Sequence, residues 1–343
     1  ENPDVRTLNW ANIQRMFTTN YWEVTDVTGG MYRPLTMLSL YTDYQLYGPE
    51  PAGFHLTNTL FNAAVCTLVF AVLLALFGSL TTALMTALFF AAFPMHVENV
   101  AWVSGRTDLI ATMFMLLSLW CYALWRSRGT TIALAGVIVL FAAALLSKET
   151  AVVLPAVVLV LELISHDRAR GRSERRNGIV LTVLMFDMAL LYLALRKHIL
   201  GVAVVYFARF THGVMQATAF SFSILAHYVY KLVFPFHLNP ESDFYPPRSF
   251  WNIHVLAGIL VLLAACYSMY RWRGHGVIVF AIAVAGIGLA PVLNILPIDQ
   301  VLAERFLYFP SLGFCLLLAL GARAWWKRMR RAAMIACTIL LVA

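Results

Sequence analysis

The feature that most constrains this chain is a succession of apolar runs that carry almost no charge, the clearest being about Leu56 to Phe77. Others follow at about Leu80 to Phe93, Leu109 to Trp125, Thr131 to Leu146, Ala151 to Ile164, Ile179 to Leu195 and Val214 to Phe234. A helix of roughly 20 apolar residues crosses ~30 Å of hydrocarbon. Several of these runs are shorter than that, which predicts thin, broken or partly buried helices. Charged residues make up only 12% of the chain and mean hydropathy is +0.76, whereas a soluble domain carries roughly 25% charge. The fold class is therefore an all-α polytopic membrane protein.

The net charge of +8 does not point to nucleic acid, because Lys and Arg fall in short runs beside apolar spans. That placement sets topology. The strongest such run, His166 to Arg176, puts its loop in the cytoplasm, together with Arg126 to Arg128, Arg271 to Arg273 and Lys327 to Arg331. Counting spans from there puts Glu1 to Gly53, Pro94 to Asp108, Ser147 to Thr150 and Pro297 to Glu304 together on the external face. This parity also requires Pro235 to Phe250 outside. Either Val214 to Phe234 lies in the interface or forms a re-entrant pair, or Ile199 to Phe210 is a second crossing. The polar members Gln216, Ser221, Ser223, His227, Tyr230 and Lys231 favour an interfacial or cavity-facing helix for Val214 to Phe234. The five cysteines all sit in apolar runs without a C-x-x-C pair, which argues against a disulfide framework or a zinc site.

The chain divides into a first part, residues 1–55, read as an external loop with interfacial helices, and a multi-span part, residues 56–343. In the first, Tyr32-Arg33-Pro34-Leu35 leads into an apolar stripe of Leu38, Leu40, Tyr41 and Tyr44, suited to a short helix on the membrane surface. The chain opens on Glu1-Asn2-Pro3 and stops inside an apolar run, so a preceding first span and the remainder of a last one are expected beyond it.

The external loops concentrate the ionisable groups. Phe93 to Asp108 packs His96, Glu98, Arg106 and Asp108 into a few residues, and Ser147-Lys148-Glu149 and Ala303-Glu304-Arg305 repeat the pattern. Charges at the edge of hydrocarbon are costly and mark sites or substrate paths, although a wet loop between helices gives the same spacing. Arg33, Arg106, Lys148 and Arg305 are the candidate anion ligands. His55 and Asn58, at the mouth of the first span, either shape the site or cap the helix start. Asp108 either shapes a site or caps its helix, and Glu304 and Arg305 either serve the site or pair with each other. His96 and Glu98 are a further candidate polar pair. The two are also compatible with a divalent metal, but two ligands without fixed geometry are a weak signal.

The ordered blocks Y-R-P-L, F-H-L-T-N-T-L-F-N, F-P-M-H-V-E-N-V-A-W-V-S-G-R-T-D-L-I-A, S-K-E-T and P-V-L-N-I-L-P-I-D-Q-V-L-A-E-R-F-L-Y-F-P-S-L-G-F resemble the transmembrane and tetratricopeptide-repeat protein O-mannosyltransferases. These are members of the C-type glycosyltransferase superfamily, with bacterial relatives. The resemblance implies a C-type glycosyltransferase-like helical bundle with a long external first loop, embedded in a bacterial inner membrane or the endoplasmic reticulum. It implies transfer of a sugar, mannose above all, from a dolichyl- or polyprenyl-phosphate donor to Ser or Thr of a protein on the periplasmic or lumenal face.

On that resemblance Arg33, Arg106, Lys148 and Arg305 bind the donor phosphate, while His55, Asn58, His96, Glu98, Asp108, Glu149 and Glu304 hold sugar or acceptor or shape the site. The family's catalytic acidic pair has no counterpart between Glu1 and Gly53, where Asp4, Glu23, Asp26 and Asp43 are scattered, and is expected upstream of Glu1. A lipid or glycan acceptor, a non-catalytic scaffold and a transporter would share much of this architecture. A transporter would add half-chain repeats and mid-bilayer charges.

Overall fold

The computed structural model describes residues 9–20, 30–164, 172–201, 213–236, 238–239, 247, 249–295 and 300–342. The elements are α1 (Trp10–Thr18), α2 (Pro34–Tyr47), α3 (Pro51–Phe77), α4 (Leu80–Ala91), α5 (Val97–Ala101), α6 (Arg106–Arg128), α7 (Thr131–Ser147), α8 (Leu154–Ile164), α9 (Arg172–Leu200), α10 (Val214–Val233), α11 (Ile253–Arg271), α12 (Gly276–Leu289) and α13 (Ser311–Val342). No strand occurs among the described residues.

The helix limits follow from local chemistry. Pro34 and Pro51 open α2 and α3 at the position where a missing amide costs nothing. Gly78 and Gly129 close α3 and α6 in the left-handed conformation. Ser79 caps α4.

Among the described residues four helices are long and apolar enough to cross a membrane: α3, the stretch Val103–Arg128 containing α6, Ser173–Leu200 in α9, and α11. A fifth candidate is broken, since Leu80–Ala91 and Pro94–Ala101 meet at 54°. The chain is thus an all-α polytopic membrane protein. The break falls where Pro94 removes a helix hydrogen bond and pushes Phe93 into extended backbone, at ψ 120°. Thr131–Ser147 and Gly276–Val292 are shorter apolar helices.

The central element is α6, packed against α7 and α3; Leu109, Leu116 and Leu119 are fully buried along it. Ser118 donates to the Val137 carbonyl (2.9 Å), which ties α6 to α7. Helix α13 packs on α4 and α12, and α10 on α11. At Gly313 a Cβ would stand 2.2 Å from the Ala281 carbonyl oxygen, so only glycine permits that close approach of α13 to α12. Contacts of α2 with α3 and α7 hold the amino-terminal segment to the bundle. Tyr41 and Met37 of the anticipated surface helix pack on Met16 of α1.

The loops expected to share one face do come to one end of the bundle. Arg33 bonds Glu149, Asp108 bonds Lys148, and Glu98 bonds Arg305. At the other end, Arg126 pairs with Glu162 (3.3 Å) and donates to the Glu174 carbonyl (3.0 Å), while Tyr122 donates to Glu162 (2.7 Å). The sequence expectations for residues 1–8, 21–29, 165–171, 202–212, 240–246 and 296–299 lie outside the described residues.

Candidate functional site

Three of the four predicted cations gather where α2, α6, α7 and the turn 304–307 meet. Arg33, just before α2, donates from Nε (3.1 Å) and Nη2 (2.6 Å) to both oxygens of Glu149, a bidentate fork. The neighbouring Lys148 donates from Nζ to Asp108 Oδ1 (2.6 Å). Lys148 and Arg305 both lie against one ring, Phe306, with Nζ 5.1 Å and Cζ 5.2 Å from its centroid. Arg305 also lies 4.8 Å from the Trp102 ring, and it pairs with Glu98.

Burial and charge act against each other here. Burial pushes the Glu149 carboxyl up, but the Arg33 charge and hydrogen bonds, with Arg196 and Lys148, more than reverse this and hold it well below the usual carboxylate range. Burial pulls Arg33 down, and Glu149, Asp108 and Tyr192 raise it past its ordinary value. For Lys148 burial prevails: with Arg33 as a like charge nearby, it lowers the ammonium pKa despite Asp108 and Glu149.

The fourth cation points elsewhere. Arg106 is fully buried and turns into the α2–α3 junction. There it donates to Asn58 Oδ1 (2.7 Å), the Ser39 carbonyl (3.2 Å) and the Phe54 carbonyl (3.0 Å), and pairs with Asp43 (2.5 Å). Its sequence reading as a phosphate ligand is therefore replaced by that of a clamp between helices. Asn58 belongs to the same clamp rather than to a helix cap, donating to the Val100 and Trp102 carbonyls (3.2 and 3.1 Å). His55 is exposed on α3.

Two further readings change. His96 and Glu98, considered as a metal pair, diverge: His96 Nε2 lies 2.8 Å from Ser311 Oγ among the rings of Phe90, Phe93 and Tyr308, while Glu98 binds the backbone amide (2.8 Å) and guanidinium of Arg305. Among the described residues no group of three or more His, Cys, Asp or Glu side chains is placed to hold a metal ion. Glu304 and Arg305 do not pair with each other. Glu304 accepts from Lys231 Nζ (2.9 Å) and from the Asn239 amide (2.8 Å), so the turn is held from α10 on one side and α5 on the other.

The α5 side is completed by Asn99, which donates to the Arg305 carbonyl (3.1 Å). Gly105 lets this loop fold back, since a Cβ there would stand 2.8 Å from the Asn99 carbonyl oxygen. Asp108 does not cap α6. Its Oδ2 is buried without a hydrogen bond, on a narrow, partly open cleft shared with Thr112, Thr150, Phe306 and Phe309.

Sequence reasoning missed Arg196, Lys231 and Phe306 as contributors. Arg196 donates to the Gly30 carbonyl (3.0 Å) and acts on Glu149 and Tyr192. A lone cation at the end of an apolar run was the available signal for both Arg196 and Lys231.

The fold and this site define a polytopic helical membrane protein with a cation-rich, carboxylate-paired cleft at one end of its bundle. Comparison with known proteins narrows that class. The family described as Dolichyl-phosphate-mannose-protein mannosyltransferase matches residues 44–195. The mouse protein O-mannosyl-transferase TMTC3 is 25% identical over 350 residues, covering 90% of this chain and 38% of that protein. The human TMTC4 is 29% identical over 368 residues, covering 90% of this chain and 49% of that protein. The Drosophila melanogaster Tmtc2 is 34% identical over 187 residues, or 51% of this chain and 20% of that protein.

Over nine tenths of its length the chain is similar to proteins named protein O-mannosyl-transferases. It spans less than half the length of the relatives named here. No solved structure matches it significantly.

Proposed function

We propose that this chain is the membrane-embedded glycosyltransferase unit of a protein O-mannosyltransferase. It takes mannose from a polyprenyl-phosphate donor, dolichyl phosphate in a eukaryote, and transfers it to Ser or Thr hydroxyls of a protein on the periplasmic or lumenal face. One observation carries the donor part of this reading. Around the cleft three cations, Arg33, Lys148 and Arg196, face two carboxylates, Glu149 and Asp108, while Arg305 and Glu98 neutralise each other. This gathering of guanidinium and ammonium groups at one cleft suits the negative charge of a sugar phosphodiester.

In the transfer, the acceptor hydroxyl passes its proton to a carboxylate general base and its oxygen bonds to the anomeric carbon as the bond from that carbon to the phosphate oxygen breaks. The leaving phosphate takes the electron pair and gains a second negative charge. Cations held within a few ångströms of that oxygen lower the barrier, more so in a site with little water. Arg33 and Arg305 suit phosphate oxygens through their planar forks and Lys148 as a point charge. The uncommitted Asp108 Oδ2 suits a hydroxyl of the sugar or of the acceptor.

The test is transfer of radiolabelled mannose from polyprenyl phosphate to a Ser/Thr peptide by the full-length protein in vesicles. Label in the peptide, reduced at least about tenfold in Arg33→Gln at matched expression, supports the reading. Label that enters only lipid or glycan supports the other acceptor class, and no transfer with any acceptor removes the enzyme reading.

A further inference from the structure

Helix α9 carries an ionisable group that the candidate site does not use. Its inward face is Leu181, Thr182, Met185, Ala189 and Tyr192, all buried at helical spacing. Its outward face is Val180, Val183, Leu184, Phe186, Leu190 and Leu191, all exposed. In the middle of that outward face stands Asp187, also exposed. The apolar stretch of this span runs from Gly178 to Leu195, so Asp187 lies roughly 13 Å from either end at helical rise.

The setting offers this carboxylate nothing. One turn away on its own helix are Val183, Leu184, Leu190 and Leu191, and no hydrogen bond or ion pair reaches it among the described residues. An Asp side chain is too short to reach the interface from that depth, unlike the long stems of Lys and Arg. The other carboxylates inside the described bundle, Asp43, Glu98, Asp108, Glu149, Glu162 and Glu304, are each paired with a cation. A lipid-facing carboxylate at mid-depth is a costly exception to that pattern.

We propose that the outward face of α9 is the docking surface for a transmembrane helix of another membrane protein, one that brings a Lys, Arg or His to the level of Asp187. Charge complementarity selects this occupant. A second copy of the chain joined across α9 by a two-fold axis would set Asp187 against Asp187, like against like. The other candidate spans hold their cations at their ends or in buried pairs, with none exposed at mid-depth, so an asymmetric contact between copies supplies no partner either. The apolar residues around Asp187 supply the packing surface, and the ion pair fixes depth and register.

The probe is a synthetic poly-leucine transmembrane peptide with one central Lys, labelled with an acceptor dye. The full chain, with Cys266→Ser and a donor dye on Ser173→Cys, is placed with it in phosphatidylcholine vesicles. Energy transfer with the Lys peptide is expected to exceed that with an all-Leu peptide about fivefold in apparent association constant. Asp187→Leu, an apolar change on a lipid-facing position, is expected to fold and to reduce the Lys peptide to the all-Leu level. Equal association of both peptides with the parent chain would overturn the proposal, as would retention of the difference in Asp187→Leu. Self-association of the chain that is lost in Asp187→Leu would also overturn it, in favour of a second copy as the occupant.

Discussion

Arg106 tests whether a buried cation beside the candidate site binds ligand or holds the fold. Arg106→Leu removes a guanidinium that is 0% exposed and leaves Asp43, itself 3% exposed, with its charge uncompensated. Breaking a buried pair from one side costs about 3–5 kcal/mol. The Asn58 oxygen and the Ser39 and Phe54 carbonyls lose their donor too. Adding Asp43→Leu removes the stranded charge and leaves only those neutral acceptors unmet, which brings the loss to about 2–3 kcal/mol. The double variant is therefore expected to be more stable than the single one, a coupling that a ligand-binding role would not produce.

The assay is reversible unfolding in mixed detergent micelles, with midpoints for the parent, both single variants and the double. Donor affinity is measured in parallel on the folded fraction. A parent-like midpoint for Arg106→Leu together with lost donor affinity would refute the clamp and restore Arg106 to the phosphate site.

Glu149 gives a pH test. Arg33 holds its folded carboxyl below the unfolded value near 4.3, so its contribution is complete above that pH and is lost as the pH falls below it. Glu149→Gln should therefore cost about 2 kcal/mol at pH 7 and converge on the parent under acid unfolding; a gap that widens on acidification has the wrong sign. Lys231 holds the turn that presents Arg305, through Glu304. Lys231→Met is expected to lower kcat about tenfold with little change in donor KM, and Lys231→Arg to recover most of it; an unchanged kcat in Lys231→Met would make the contact dispensable to positioning. For topology, cysteines placed at the exposed Val97 and Ser173 should label from opposite sides of intact vesicles, and labelling of both from one side would defeat the assignment.

What was legible in the sequence was the grouping of loops, because apolar run lengths and basic loops fix which charged stretches meet at one end of a bundle. What was not legible was the direction of each side chain. Arg106 and Asp108 are two residues apart at the start of α6, and such positions do not face the same neighbour on a helix. One accordingly turns to α2 and α3 and the other to Lys148. His96 and Glu98 diverge for the same reason, which a metal reading based on proximity in sequence could not detect. Glu304 and Arg305 are adjacent in a 3₁₀ turn and project to different sides, so each finds a partner on a different helix. Lys231 was visible only as one polar residue in an apolar run, since its partner lies far along the chain. Asp187 disappears in any averaged hydropathy, where one carboxylate among seventeen uncharged neighbours barely registers across Gly178 to Leu195.

The geometry around Arg305 yields the sharpest expectation. Its guanidinium bonds Glu98 through Nη1, and the rings of Trp102 and Phe306 lie 4.8 and 5.2 Å from Cζ, which orients the plane. No hydrogen bond to a described residue occupies the Nε–Nη2 edge. That edge is the one that grips two oxygens of a phosphate at once. Holding it in advance means little ordering remains to be done when the anion arrives. Arg305→Lys keeps the charge but loses both the fork and the stacking plane, and Glu98 can still pair with the ammonium, so the fold should survive. Turnover from a polyprenyl-phosphate donor is then expected to fall by about one to two orders of magnitude, with the unfolding midpoint within ~1 kcal/mol of the parent. Arg305→Ala should lose the midpoint as well, because Glu98 is left buried without its cation. Unchanged kinetics in Arg305→Lys, with a destabilised Arg305→Ala, would leave Arg305 as a structural partner of Glu98 and move the phosphate towards Arg33 and Lys148.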